Sequence, residues 1–166
     1  MCWTYFPLHP DTKDSGLSLE DLFQEHDTDI EVMKQRMSFL MTEENLAYGN
    51  RTHTYNSRLA QELAKWGESF PEGEVLNLKL FEAYFAEGRN LAEPVVLLEV
   101  AEAAGLDRDA AEEMIRKRSF RGAVDADWKR AHELGVAGVP TFVSGNRGLV
   151  GAQSFEALEQ LIQTSA

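Results

Sequence analysis

The order of its periodic segments predicts an α/β fold in which a small sheet carries a large helical block. Three observations predict it. Cys2-Trp3-Thr4-Tyr5-Phe6 is short, apolar and aromatic, as a buried strand is. Residues from about 18 to 134 repeat their apolar positions at helical spacing. Near the end, Thr141-Phe142-Val143-Ser144 and Leu149-Val150 flank the turn residues Gly145-Asn146-Arg147-Gly148, the pattern of a hairpin. A sheet with helices packed on it satisfies that order. With no linker, low-complexity tract or internal repeat, residues 1–166 are expected to form one domain.

Each element has its own signal. Pro7 and Pro10 stop the first strand, because proline has no N–H to give to a ladder. Ser18 with Asp21 three residues on predicts a capped short helix through Leu19, Leu22 and Phe23. Asp29 is the expected cap of a second helix with Met33, Met37, Leu40 and Met41 on its apolar face. Asn56 is expected to cap a third, with Leu59, Leu63 and Trp66 inward. Leu78, Phe81 and Phe85 form the expected stripe of a fourth, ending near Gly88. Glu93-Pro94 opens a fifth with proline in the first turn, and Gly105 suits its end. Leu97, Val100, Ala101 and Ala104 are its stripe. Asp107 caps a sixth containing Met114 and Ile115, and a seventh runs from about 124 to Gly135. Ser154 caps the last, with Phe155, Leu158, Leu161 and Ile162 expected inward.

Composition narrows the function classes. The chain has 166 residues, 43% hydrophobic and 27% charged, with a formal net charge of -12. So acidic a surface repels phosphate backbones, which argues against nucleic acid, and against anionic membrane surfaces. No apolar run approaches the roughly 20 residues that span a bilayer. The start has no basic segment of the kind that opens a signal peptide. A single cysteine, Cys2, suits a reducing compartment. The expected location is therefore cytoplasmic.

Gly135-Val136-Ala137-Gly138-Val139-Pro140-Thr141-Phe142-Val143 resembles the cis-proline segment of the DsbA family. Phe6-Pro7-Leu8-His9-Pro10 is similar to the strand exit of that family's FrnE-like branch. Asn56-Ser57-Arg58-Leu59-Ala60 and Leu80-Phe81-Glu82-Ala83-Tyr84-Phe85 resemble its helical insertion, and Gly151-Ala152-Gln153 its lead into the last helix. The related 2-hydroxychromene-2-carboxylate isomerases share this plan. The resemblance implies a thioredoxin-like fold with a strand at 2–6, an insertion over about 18–134, a hairpin at about 141–150 and a final helix at 154–163. It implies thiol–disulfide oxidoreductase or isomerase chemistry. It also implies that the Val139-Pro140 bond is cis and that the backbone of Val139 pairs with an extended substrate, as in strand addition.

The segment that carries the family's Cys-x-x-Cys at a helix start is not found in this sequence. The fold is therefore expected to be incomplete, missing a central strand as well as the dithiol. No catalytic residue is assigned. Substrate contact is expected at Val139, Pro140 and His9, and glutathione is a candidate ligand. A homodimer is expected to cover the backbone edge that a missing strand would expose. The alternative is a non-catalytic module that holds a peptide, glutathione or a partner chain. Cys2 is expected to be a small apolar strand residue rather than a reactive thiol.

Other constellations carry less. His9, His26, His53 and His132 have no i, i+4 partner histidine, so no metal site is expected. Glu43-Glu44 and Glu112-Glu113 are adjacent in helical stretches and do not face one another. Met33, Met37 and Met41, spaced four apart, are expected to be a core stripe.

Overall fold

The computed structural model describes residues 2–24 and 29–164. They form two compact units, one of residues 1–8 with 125–166 and one of residues 9–124. His26 lies outside the described residues.

The larger unit holds most of the core. Leu17–Ser18 (β1) pairs antiparallel with His53–Thr54 (β2), Leu17 opposite Thr54. Leu19–Leu22 (α1) follows β1, capped by Ser18, whose Oγ accepts the Asp21 N–H at 3.0 Å. Ile30–Glu43 (α2) begins on Asp29, whose carboxylate accepts the N–H groups of Glu31 and Val32. Arg58–Gly67 (α3), Gly73–Phe81 (α4), Pro94–Ala103 (α5) and Arg108–Lys117 (α6) pack on one another. Leu63, Leu76, Leu97, Ala101 and Ala111 are fully buried between them. The first of these helices starts one residue late. Ser57 occupies the cap position, while Asn56 still accepts the Arg58 N–H through its Oδ1 at 2.9 Å. Pro94 opens α5, and Asp107 caps α6 by accepting the Ala110 N–H at 2.7 Å.

Two expected core faces turn outward. On α4 the buried side is Gly73, Leu76 and Leu80, continued by Ala83, while Leu78 and Phe81 are exposed. Both stripes have helical spacing, so periodicity could not choose between them. Packing chose: a Cβ on Gly73 would lie 2.5 Å from the Gly67 carbonyl oxygen, so α4 approaches α3 along its glycine side. On α2 no residue is buried. Met33 and Met41 are half-buried and Met37 exposed, so the methionine row is not a core stripe.

A π-helical turn, Glu82–Ala86, extends α4. Its wider register leaves carbonyls to be satisfied from outside the helix. The Phe85 carbonyl accepts the Gly49 N–H at 2.9 Å. The backbones are so close that a Cβ on Gly49 would stand 2.0 Å from the Ala86 oxygen.

In the smaller unit, Thr141–Ser144 (β3) and Arg147–Val150 (β4) form an antiparallel hairpin, Thr141 opposite Val150 and Ser144 opposite Arg147. Arg147 and Gly148 belong to the second strand, so the loop is only Gly145-Asn146. Gly145 takes φ +59, the positive value that a two-residue hairpin loop demands at its first position. Phe155–Gln163 (α8) packs on both strands, capped by Ser154. Leu161 is its buried residue, whereas Phe155 and Ile162 are exposed. Arg121–Glu133 (α7) runs from one unit into the other.

Residues 2–7 are not a strand. No strand among the described residues pairs with them, and a lone strand has no ladder for its backbone groups. The Tyr5 N–H instead meets the Asp127 carboxylate at 3.4 Å. Cys2 is correspondingly an exposed free thiol, not a buried apolar filler.

Candidate functional site

The segment from Gly135 to Thr141 connects α7 to β3. The helix ends in two backward hydrogen bonds, Gly135 N–H to the His132 carbonyl and Val136 N–H to the Ala131 carbonyl. The strand side is pinned by the Gly151 N–H, which donates to the Pro140 carbonyl at 2.8 Å and extends the hairpin ladder by one rung. Thr141 Oγ1 donates to the Gly138 carbonyl at 2.6 Å. The Val139-Pro140 bond between these anchors is cis. Both flanks are thus fixed, while Val139 itself is 48% exposed. Among the described residues, neither its N–H nor its C=O takes a hydrogen bond. Pro140 is exposed beside it.

An exposed residue whose two backbone groups are unpaired, next to a strand, can accept one more extended segment by strand pairing. Nothing here is nucleophilic. Cys2 is the chain's one cysteine, so these 166 residues hold no dithiol. His9 belongs to the larger unit, where it is exposed and its carbonyl accepts the Thr12 N–H in a turn. His53 is half-buried, its Nδ1 2.9 Å from Thr52 Oγ1, and stacks on Tyr55. His132 is exposed on α7. Among the described residues no group of three His, Cys, Asp or Glu side chains could hold a metal, and no helix is long and apolar enough to cross a membrane.

The larger unit contains a polar cluster that sequence reasoning missed. Glu62 on α3 is fully buried. It accepts from Arg58 Nε at 2.8 Å, and from Arg118 Nε and Nη2 at 2.7 Å each. Arg58 also donates to the Arg121 carbonyl. Arg118 ends α6 with φ +53, a left-handed value that is uncommon for a side chain this large. Burial alone would raise the Glu62 carboxyl's pKa, but the hydrogen bonds and charges of Arg118 and Arg58 outweigh it and hold it below the usual range. The i, i+4 pair Arg58 and Glu62 was legible as helix spacing. Arg118, 56 residues away, had no local signal. Both arginines, with Asp14, Asn56, Leu59 and Ala92, line a shallow polar cavity. Their guanidiniums are already committed to Glu62, so the cluster is a structural clamp.

A second cluster joins β2 to the π-helical turn. Arg51 donates to the Tyr84 hydroxyl and to the His53 carbonyl, and Tyr84 donates to Thr54 Oγ1 at 3.1 Å. The Arg51 guanidinium carbon stands 4.6 Å from the Tyr84 ring centroid, a cation–π distance.

A hairpin and terminal helix combined with a long helical insertion, and a cis-proline before the hairpin, are the plan of a thioredoxin-type domain with an inserted helical block. The chain belongs to the DSBA-like thioredoxin domain family, which matches residues 1–163. It is 24% identical over 163 residues to the uncharacterized protein YwbO of Bacillus subtilis, covering 96% of this chain and 79% of that one. The crystal structure of the probable DsbA oxidoreductase SCO1869 from Streptomyces coelicolor superposes with a TM-score of 0.86 at 24% identity. That match covers 95% of this chain and 71% of the other. At such identity the likeness establishes a shared fold.

Proposed function

We propose that this chain is a thiol–disulfide oxidoreductase-like protein that supplies the substrate-binding surface of a DsbA-type domain, with the redox dithiol absent from these residues. The observation that carries this reading is Val139, an exposed residue whose N–H and C=O are unpaired among the described residues, between two anchored flanks. Family membership supports it. The surface binds an extended peptide or glutathione through the Val139 backbone, with Pro140 as its apolar neighbour. A cytoplasmic setting suits the exposed Cys2 thiol.

A complete cycle of disulfide exchange needs an attacking thiolate and a second thiol to resolve the mixed disulfide. Cys2 alone can do only the first step. That single cysteine favours a second reading, in which the chain is a non-catalytic peptide- or glutathione-binding module. The two readings share a surface and differ in turnover.

Titration of the ¹⁵N-labelled chain with glutathione and with an unfolded, cysteine-free peptide tests the surface. The expected result is saturable shifts of the Val139 amide and its neighbours over residues 136–141. Unmoved amides there with both ligands would remove the binding reading. Insulin reduction separates the rest. The 166-residue chain should show no turnover, and turnover that survives Cys2→Ser would overturn the account of a missing dithiol.

A further inference from the structure

The outer face of α2 is patterned as a seam. Val32, Phe39 and Leu46 are 60%, 64% and 54% exposed. Within the helix, positions 32, 36, 39 and 43 alternate steps of four and three, the spacing of a coiled-coil contact line. Leu46 lies past the helix end. Asn45 turns the chain with φ +55, and the Leu46 N–H returns to the Met41 carbonyl at 2.8 Å, the closing bond of a Schellman end. No residue of α2 is buried, so among the described residues no element covers the face. Among the described residues, Arg36 and Glu43 take no ion-pair partner within their own chain.

The seam is complementary to itself in one direction only. Laid antiparallel about Phe39, Phe39 meets the partner's Phe39, and Arg36 falls beside the partner's Glu43. The contact repeats on the other side of the twofold axis. A parallel pairing would set Arg36 on Arg36 and Glu43 on Glu43. Antiparallel helices also oppose their dipoles favourably. The chain as a whole carries -12, which repels copies of itself, yet this line carries one charge of each sign.

We propose that a second copy of this chain docks on α2 through the seam Val32, Arg36, Phe39 and Glu43, as an antiparallel twofold pair. The helix has 14 residues, about 21 Å at 1.5 Å per residue. An interface that short gives a concentration-dependent dimer rather than an obligate one.

Sedimentation velocity from about 1 μM to 1 mM, the span such interfaces occupy, reads the assembly. The full chain should move from monomer to dimer across that range. Phe39→Lys should remain monomeric throughout, with an unchanged far-UV circular dichroism spectrum because Phe39 touches solvent. Arg36→Glu and Glu43→Arg should each weaken the dimer about tenfold, by facing like charges. The double variant should restore it. In a second measurement, Cys2→Ser with Phe39→Cys should oxidise to a disulfide-linked dimer, since the only thiol then lies on the twofold axis. A chain monomeric at every concentration overturns the proposal. So does a dimer that ignores Phe39→Lys, or single charge variants that the double variant fails to rescue.

Discussion

Glu62 concentrates the consequences of burial in one side chain. Its carboxylate is out of water and satisfied by two guanidiniums. Removing one partner of a buried ion pair generally costs about 3–5 kcal/mol. Here the lower end applies, because the Arg118 side chain is 44% exposed and can recover water. Glu62→Gln should therefore lower unfolding stability at pH 7 by about 3 kcal/mol, read from urea midpoints. The pH dependence has a definite sign. The folded pKa lies below the unfolded one, so this stabilisation is full above the unfolded value of about 4.3. It is lost as the pH falls further, through the folded value. The native chain should lose stability over that acid window more steeply than Glu62→Gln. Equal acid slopes in the two proteins would refute the role given to this carboxylate. The cluster also marks how far single-chain reading reaches. Arg58 with Glu62 is a local pattern, whereas Arg118 enters only because α6 ends in a left-handed residue that aims it back at α3.

At the scale of the element, caps were legible, and so were the inward residues of α3, α5 and α6, whereas the faces of α2 and α4 were not. Ser18, Asp29, Asp107 and Ser154 each bond the first-turn amides beside them, because a cap acts on atoms two or three residues away. Which stripe of α4 turns inward depends on the glycine-lined approach of α3, which no periodicity contains. The strand expected at residues 2–6 failed for a related reason: a strand exists only with a neighbour. The loop ahead of β2 gives a test of element-level contact. Gly49 lies against the π-helical turn with no room for a Cβ, and its N–H satisfies the Phe85 carbonyl. Gly49→Ala should push the two apart and cost about 1–3 kcal/mol, the usual cost of overpacking. The Arg51 to Tyr84 contact should loosen with it, visible as a change in tyrosine fluorescence or near-UV dichroism. A variant as stable as the parent, with its near-UV spectrum intact, would show that this approach is not constrained.

At the scale of the molecule, the apolar core is unevenly shared between the two units. Among the described buried apolar side chains, the smaller unit holds Ala131 and Leu161, and the larger unit holds the rest, Leu63, Leu76, Leu97 and Val124 among them. A two-stranded hairpin is marginal by itself, and one helix with a single buried leucine adds little. Val143, Val150, Phe155 and Ile162 remain exposed on those elements. The site proposed at Val139 therefore sits on the less stable part of the chain. Local stability follows buried apolar contact, so hydrogen exchange should be graded by unit. Amides of β3, β4 and α8 should exchange at least about 100-fold faster than those of α3, α5 and α6, a gap of about 2.7 kcal/mol. If a peptide or glutathione binds Val139, it adds pairing where pairing is scarce, and protection should rise in the hairpin before it rises anywhere in the larger unit. Uniform exchange across both units, or ligand protection confined to α3 to α6, would contradict this division of stability.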